Sequence, residues 1–233
     1  MATKTDVDTR AREPLSRERV LRTAVEIADE RGVDALSMRR LASELHVVPM
    51  AIYKHVAGKD ELLDGMIDVV VSEIDPPLDG CDWKTAVRGR ILSARRALLR
   101  HPWASRVMES RTEPTPTVLA YMDSMIAMFR VGGFTIDLTH HVMHAMGSRL
   151  MGFTQELFND TTDADAEMEA EMYEAMAGAF PSIVELYRAV THDDASVVGP
   201  GCDDQFEFEF ALDLLLDGIE RLKEREDRLG AGP

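Results

Sequence analysis

The feature that most constrains the fold is the run that begins at Leu36, LSMRRLASELHVVPMAIYKHVAGKDELLDGM. Ser37 is a favourable N-cap residue, and the apolar Leu36 and Leu41 on either side of it are spaced for a hydrophobic staple. A tight turn follows at residues 46–48, and Pro49 opens a second helix at a position that tolerates a missing N–H. The run therefore predicts two short helices joined by a turn and followed by a longer helix.

The second helix is short, and its two faces differ. Ile52 and Val56 are spaced to anchor it on the first helix, which leaves the other side chains facing outward: Pro49, Met50, Ala51, Tyr53, Lys54 and His55. An exposed, mildly basic helix braced on a buried one suits the reading of a DNA major groove. Its first turn offers an apolar surface for thymine methyl groups, and Lys54 offers one donor for guanine.

The same run resembles the DNA-binding domain of the tetracycline-repressor (TetR) family, through the pattern L-[ST]-x-R-x-L-A-x-x-L-x-V followed by Y-x-H-V-x-x-K-x-x-L-L-D. The resemblance implies that these residues touch bases or phosphates: Arg39, Tyr53, Lys54, His55 and Lys59. We expect the hydroxyls of Ser37 and Tyr53 and the ammonium of Lys59 to anchor phosphates. Two positions depart from the family, since His46 replaces a turn glycine with left-handed geometry and Val48 replaces a capping residue.

Charge divides the chain into two parts. Residues 1–60 carry 11 Lys and Arg against 10 Asp and Glu, a net of +1, whereas the rest carry 15 against 32, a net of −17. Because an acidic body repels DNA, we expect the protein to meet DNA head first, although the acid would equally favour solubility. We divide the chain into a disordered tail at 1–15, a DNA-binding head with its connecting helix at 16–74, and a ligand-binding and dimerisation body at 75–233. The basic tail is either a solvated end or an arm for the minor groove.

Several classes of protein are disfavoured by what the sequence lacks. Cys81 and Cys202 lie far apart without C-x-x-C spacing, and neither a long apolar run nor an apolar leader occurs, which favours a cytoplasmic protein. The chain has no G-x-S-x-G, phosphate-binding glycine loop or dinucleotide fingerprint, so neither an enzyme nor a cofactor is expected. His140 and His144 could share a metal ion, but no carboxylate or cysteine accompanies them locally, and we expect hydrogen-bonded histidines instead.

Beyond residue 75 the apolar periodicity stays helical, so an all-α fold is predicted. Helices are predicted at 16–31 and 58–74 in the head, and at 82–100, 103–108, 117–131, 135–158, 165–179, 182–190 and 203–228 in the body. A weaker resemblance to the same family extends here, through Trp83 and the ALL sequence after it, the turn at 132–134 and the last helix, ALDLLLDGIERLK. The resemblance implies a homodimer through the helices 135–158 and 203–228, packed as a four-helix bundle.

A small-molecule site is predicted between two helices of the body. The helices on either side of the glycine turn at 132–133 must lie antiparallel and adjacent. Flexible methionines and a few polar groups suit an apolar or amphipathic effector, held by Trp103, Met122, Met125, Phe129, Met143 and His144. The alternative is that these side chains only fill the core. The tetracycline repressor binds a magnesium-bound drug, but the corresponding positions here are Ser72, Arg90, Ala94 and Met108, so neither tetracycline nor magnesium is expected.

Together these features predict a transcriptional repressor that binds a palindromic operator as a homodimer and is released by a small-molecule effector. Two alternatives stay open, namely a DNA-binding regulator without an effector and a His-dependent metal enzyme in the body. A collapsed body cavity would favour the first alternative, and a bound metal would favour the second.

Overall fold

The computed structural model describes residues 14–152, 174–190 and 204–230. These ranges contain helices and turns but no strand, which confirms the predicted all-α class. The chain forms two compact units, residues 1–154 and 155–233. The first unit contains the predicted head together with the first helices of the body.

The head begins with helix α1, Arg17–Arg31. The Ser16 hydroxyl accepts a hydrogen bond from the Arg19 backbone N–H at 3.1 Å, so it caps the helix. Gly32 ends the helix at φ 77° and ψ 152°, a region that side chains with a Cβ rarely enter. A 3-10 turn, Val33–Ala35, then leads the chain towards the second helix.

Helices α2, Met38–Glu44, and α3, Pro49–Ile52, form the predicted pair joined by a tight turn. The Ser37 hydroxyl caps α2 by accepting from a backbone N–H three residues on, at 3.2 Å. His46 in the turn has φ 58°, the left-handed geometry that the sequence pattern predicts there. Val48 precedes α3 and supplies no side-chain cap, so packing against α2 has to hold the start of this helix.

Helix α4, Lys59–Ser72, leads from the head to the body. Glu61 in its first turn accepts a hydrogen bond from the Ala57 N–H at 2.7 Å, which helps to cap a start that has no capping side chain. The helix ends two residues before the predicted residue 74. The prolines at 76–77 hold the preceding residue out of helical geometry, so the last N–H groups close a tighter turn.

A glycine lets α1 and α4 pack closely. A Cβ at Gly65 would lie 2.5 Å from Cδ2 of Leu21, which is too close for two carbon atoms. The helices of the head enclose one apolar core, whose fully buried members include Val20, Ala24, Leu41, Ile52, Leu62 and Met66. This core continues into the body, because Ala97, Trp103 and Val107 belong to the same cluster.

The first unit continues with α5, Trp83–Arg100; α6, Trp103–Glu109; α7, Pro116–Val131; and α8, Ile136–Gly152. Each helix begins within one residue of its predicted start. Helix α4 contacts α5, α6 and α7, and α7 also contacts α5 and α8. Helix α7 therefore packs against both the connecting helix and α8, and its contact with α8 confirms the predicted adjacency.

Three aromatic rings pack around the turn between α7 and α8. The ring centre of Phe134 lies 4.7 Å from that of Trp83 and 5.3 Å from that of Phe129, both in edge-on geometry. A Cβ at Gly132 would lie 2.7 Å from the Trp83 side chain, and Gly133 has φ 82°. Both turn glycines are therefore required, one for space and one for backbone conformation.

The second unit contains α9, Pro181–Val190, and α10, Asp204–Gly230. Both were predicted from periodicity, and proline at the start of α9 suits the first turn of a helix. The predicted helical residues 153–158 and most of 165–179 lie outside the described residues. One face of α10 is buried and consists of Phe208, Leu212, Leu216 and Ile219.

Candidate nucleic-acid interface

The outward side of α3 and of the turns beside it forms a surface that we call the front surface, comprising Pro49, Met50, Tyr53, Lys54 and Lys59. All five residues are exposed, and Met50 is 71% accessible. Ala51 and His55, which are also predicted DNA contacts, are half-buried. Ile52 and Val56 are buried on the opposite side, as predicted. The front surface thus combines an apolar tip with two cations.

Helix α3 contains only part of the segment that was predicted to contact DNA. The helix ends at Ile52, and Tyr53, Lys54 and His55 follow in a turn. In this turn the N–H groups of His55 and Val56 donate to the Ile52 carbonyl at 2.8 and 3.1 Å. The backbone therefore stays coiled past the end of α3 and places these three residues next to it.

Three further predicted contacts lie at helix starts. Ser37 precedes α2, Arg39 lies in its first turn, and Lys59 opens α4. All three are exposed, although the Ser37 hydroxyl already accepts the capping hydrogen bond. Unpaired N–H groups at a helix start and a nearby cation together favour phosphate.

The opposite side of the head is tied to residues 100–115 by hydrogen bonds and ion pairs, which we call the rear contacts. Asp29 of α1 accepts a hydrogen bond from Nε1 of Trp103 at 2.7 Å, and Nδ1 of His101 lies 2.8 Å from the same oxygen. Trp103 and His101 are both buried. Neither contact was predicted, because the partners lie more than 70 positions apart in the sequence.

Glu73, just beyond α4, joins the same network. Its carboxylate accepts from Nη2 of Arg100 at 2.6 Å and lies 3.2 Å from Nε2 of His101. Burial by itself raises the pKa of Glu73, but hydrogen bonds and charge from Arg100 and His101 outweigh it, so the pKa is lowered. His101 is thereby held between two carboxylates, one within α1 and one just beyond α4.

The remaining rear contacts follow α4 and the 3-10 turn. Arg111 donates through Nη1 to Oδ1 of Asp60 at 2.9 Å and through Nη2 to Oδ2 of Asp64 at 3.4 Å. The hydrogen bond to Asp60 raises the pKa of Arg111. The Thr115 hydroxyl donates to Asp68. The spacing of these three acids, four residues apart, places them on one helix face and could have indicated a shared partner surface. The exposed pair Arg106–Asp34, at 3.1 Å, completes the set.

The predicted effector residues do not all lie in one environment. Met125 and Phe129 of α7 are buried, Met122 is 42% accessible, Met143 of α8 is half-buried, and His144 is exposed. Trp103 belongs to the apolar cluster of the head, which does not include Met125 or Phe129. Its indole is also engaged by α1, as described above. Trp103 thus joins the rear contacts, a role that the sequence did not indicate.

The histidines of α8 lie close together. The ring centres of His140 and His144 are 4.6 Å apart in edge-on geometry. Among the described residues, no three His, Cys, Asp or Glu side chains cluster in a way that could hold a metal ion. Within the same ranges, every helix is too short or too polar to cross a lipid bilayer.

Family models match both halves of the chain. Residues 20–66 match the model described as bacterial regulatory proteins, tetR family, and residues 76–222 match the one described as tetracyclin repressor-like, C-terminal domain. The first match covers most of α1 and α4 and all of α2 and α3, and it includes every residue of the front surface. The second covers the helices that make the rear contacts from the body side.

Similar proteins agree with these matches. The HTH-type transcriptional repressor DrrR1 of Streptomyces coeruleorubidus is 33% identical, over 89% of this chain and 78% of that protein. The class C tetracycline repressor protein of Escherichia coli is 27% identical, over 90% and 92%. The structure of ActR from Streptomyces coelicolor in complex with (S)-DNPA has a TM-score of 0.66 and 28% identity, over 91% of this chain and 100% of that one. The chain therefore belongs to the TetR family and is a DNA-binding transcriptional repressor.

Proposed function

We propose that two protomers present their front surfaces to successive major grooves of a palindromic operator and that a small molecule releases them. The observation that supports this most is the distribution of charge on the head. Six of its acids are engaged in the rear contacts, whereas Lys54 and Lys59 face solvent; the six are Asp29, Asp34, Asp60, Asp64, Asp68 and Glu73. Lys54, with Met50 beside it, reads bases, and Lys59 binds phosphate. A regulator of this kind acts where the chromosome is, so we infer a cytoplasmic location.

Dimerisation in this proposal uses α8 and α10, as the family resemblance implies. Apolar side chains of both helices are exposed in the single chain, including Ile136, Phe210 and Leu214, the last at 58% accessibility. Ile219 is only 3% accessible, so replacing it would unfold the protomer and would not test the interface. The sharper test is Phe210→Glu with Leu214→Glu, which should give monomers in sedimentation and abolish operator binding. The matched control is Leu229→Glu, a still more exposed apolar site near the end of α10.

The effector in this proposal lies among Met122, Met125, Phe129, Met143 and His144, while Trp103 links head and body. Helix α7 carries the first three of these residues and contacts α4 directly. A ligand that shifts α7 can therefore shift α4 and, through it, the front surface. The effector must favour the arrangement that does not bind DNA.

The deciding experiment is a gel shift with DNA from beside the protein's own gene. Structures of ActR contain (S)-DNPA and actinorhodin, so these two compounds are the first candidates to add. The retarded band should form without a compound and disappear with an active one. Met125→Trp should still bind the DNA but no longer release it, because the larger ring fills the site. Absence of any retarded band would contradict the DNA-binding role, and normal release from Met125→Trp would move the effector site elsewhere.

A further inference from the structure

Arg90 of α5 is buried, at 9% accessibility, and its guanidinium is only partly satisfied. Nη1 donates to the backbone carbonyls of Ile74, at 3.3 Å, and Asp75, and Nη2 donates to the Ser124 hydroxyl at 3.4 Å. The guanidinium carbon lies 4.9 Å from the ring centre of Tyr121. Nε is buried and has no hydrogen-bond partner within the described part of the chain. One edge of the guanidinium, Nε together with Nη2, is therefore left nearly unused.

The Asp75 carboxylate attracts this cation but forms no direct ion pair with it. The Asp75 carboxylate accepts from the Ser93 hydroxyl at 2.8 Å and from Nη2 of Arg96 at 2.7 Å, and only its backbone carbonyl meets Arg90. No carboxylate in ranges 14–152, 174–190 and 204–230 forms an ion pair with Arg90. Burial lowers the pKa of Arg90, as expected for a cation that has lost its water.

Burying a cation that has no direct ion pair and an unsatisfied N–H costs free energy, so the presence of Arg90 at this position needs an explanation. We propose that Arg90 binds an acidic group of the effector, a carboxylate or an ionised phenol, through its Nε and Nη2 edge. This inference rests on the proposed function, because it names the chemical class of the effector. The fork formed by these two nitrogens matches the two oxygens of a carboxylate. Ser124 and Tyr121 belong to α7, the helix that also carries Met125, so the acid and the apolar part of one molecule would lie side by side.

The same guanidinium connects this site to the head. Its Nη1 holds the carbonyls of Ile74 and Asp75, which directly follow α4. An acid on the opposite edge competes for the cation and draws it towards α7, which weakens its hold on the end of α4. Binding of the acid therefore favours a different position of α4, as release from an operator requires.

Matched pairs of aromatic acids and their neutral amides test this inference. We would use 2-naphthoate with 2-naphthamide and anthraquinone-2-carboxylate with its amide, and measure binding by calorimetry at pH 7. The wild type should bind at least one acid tenfold or more tightly than its amide, and Arg90→Gln should remove that preference. Arg106→Gln is the control, since it removes an exposed cation that pairs with Asp34 and keeps the Arg96–Asp75 pair in place, and it should leave the preference intact.

Arg90→Lys keeps the charge but loses the fork, so it should reduce the preference for the acid, and it replaces the Gln variant if that one does not fold. Equal binding of acids and amides by the wild type, no binding of either acid, or equal losses in the Arg90 and Arg106 variants would overturn the inference. A gel shift that measures release of the operator distinguishes failure of this inference from failure of the proposed function. If amides release the operator as well as acids do, the repressor role stands and the acidic class is wrong; if no operator is bound, the proposed function fails while calorimetry still tests Arg90.

Discussion

The front surface and the rear contacts belong to the same small head, yet they treat charge in opposite ways. On the front, Lys54 and Lys59 are exposed, and neither forms an ion pair with the described residues. At the rear, Asp29, Asp60 and Glu73 are each held by a cation or a ring N–H from the body. A protein with strong overall negative charge can thus leave two cations exposed on one surface of its head, because six of the head's acids are engaged with the body.

The two sets of residues should also contribute to different free energies, the front surface to DNA binding and the rear contacts to folding. Side chains of the front surface make few contacts within the chain, so their replacement should alter DNA binding and leave folding nearly unchanged. Rear contacts join α1 and α4 to the body, so their replacement should alter stability and the link to the effector. The following experiments test this separation.

The largest effect is expected from Trp103→Ala at the rear. It removes a buried aromatic ring and the hydrogen bond to Asp29, and should lower the free energy of unfolding by about 3 kcal/mol. Urea unfolding measures this change. Trp103→Phe keeps most of the packing and should cost about 1 kcal/mol for the lost hydrogen bond. A Trp103→Ala variant as stable as the wild type would show that the head does not depend on this contact.

A smaller effect, on binding alone, is expected from Lys54→Ala on the front. It should weaken binding to the cognate operator by about 1–3 kcal/mol and relax the preference at one base pair. The free energy of unfolding should stay unchanged. Titration against operator variants measures both. Lys59→Ala serves as the comparison. Loss of a phosphate contact should weaken binding to all sequences alike and reduce the slope of log affinity against log salt concentration by about one unit. Equal losses on every sequence for Lys54→Ala would make it a phosphate contact as well.

The stability that the rear contacts provide should also depend on pH. The pKa of Glu73 is lowered below its ordinary value of 4.5, so its contribution to stability is present above that value and is lost as the pH falls through the folded pKa. Glu73→Gln should therefore be less stable than the wild type at pH 7, and the two should converge at acid pH. A stability difference that persists unchanged at pH 3 would exclude this origin.

The smallest effect is expected from Arg106→Ala. Its partner is Asp34, and both side chains are more than 70% accessible, so water screens the pair. The change in unfolding free energy should not exceed about 0.5 kcal/mol. If Arg106→Ala lowered the free energy of unfolding as much as Trp103→Ala, the exposure of a rear contact would not predict how strongly it stabilises the protein.

Local features of the fold could be predicted well. Capping by Ser16 and Ser37, the left-handed His46 and the glycine turn all follow from residues within a few positions of each other. The rear contacts could not be predicted, because their partners meet only after helices dock. Trp103 illustrates this limit: periodicity indicated an apolar ring in the body, but only the docking of α1 explains why that ring packs under the head.

Helix α4 makes these contacts mechanically important, because it is a rod of 14 residues, about 21 Å long. Arg90 grips the chain just past one end, and the other end begins beside the front surface. A tilt of about 5° at the gripped end moves the other end by about 2 Å over that length. In a dimer the two displacements add to about 4 Å, against a half-site repeat of about 34 Å. Hydrogen bonds to base edges break well before such a displacement. In the proposed mechanism, a ligand would therefore need only to weaken the hydrogen bonds from Arg90 to the carbonyls of Ile74 and Asp75.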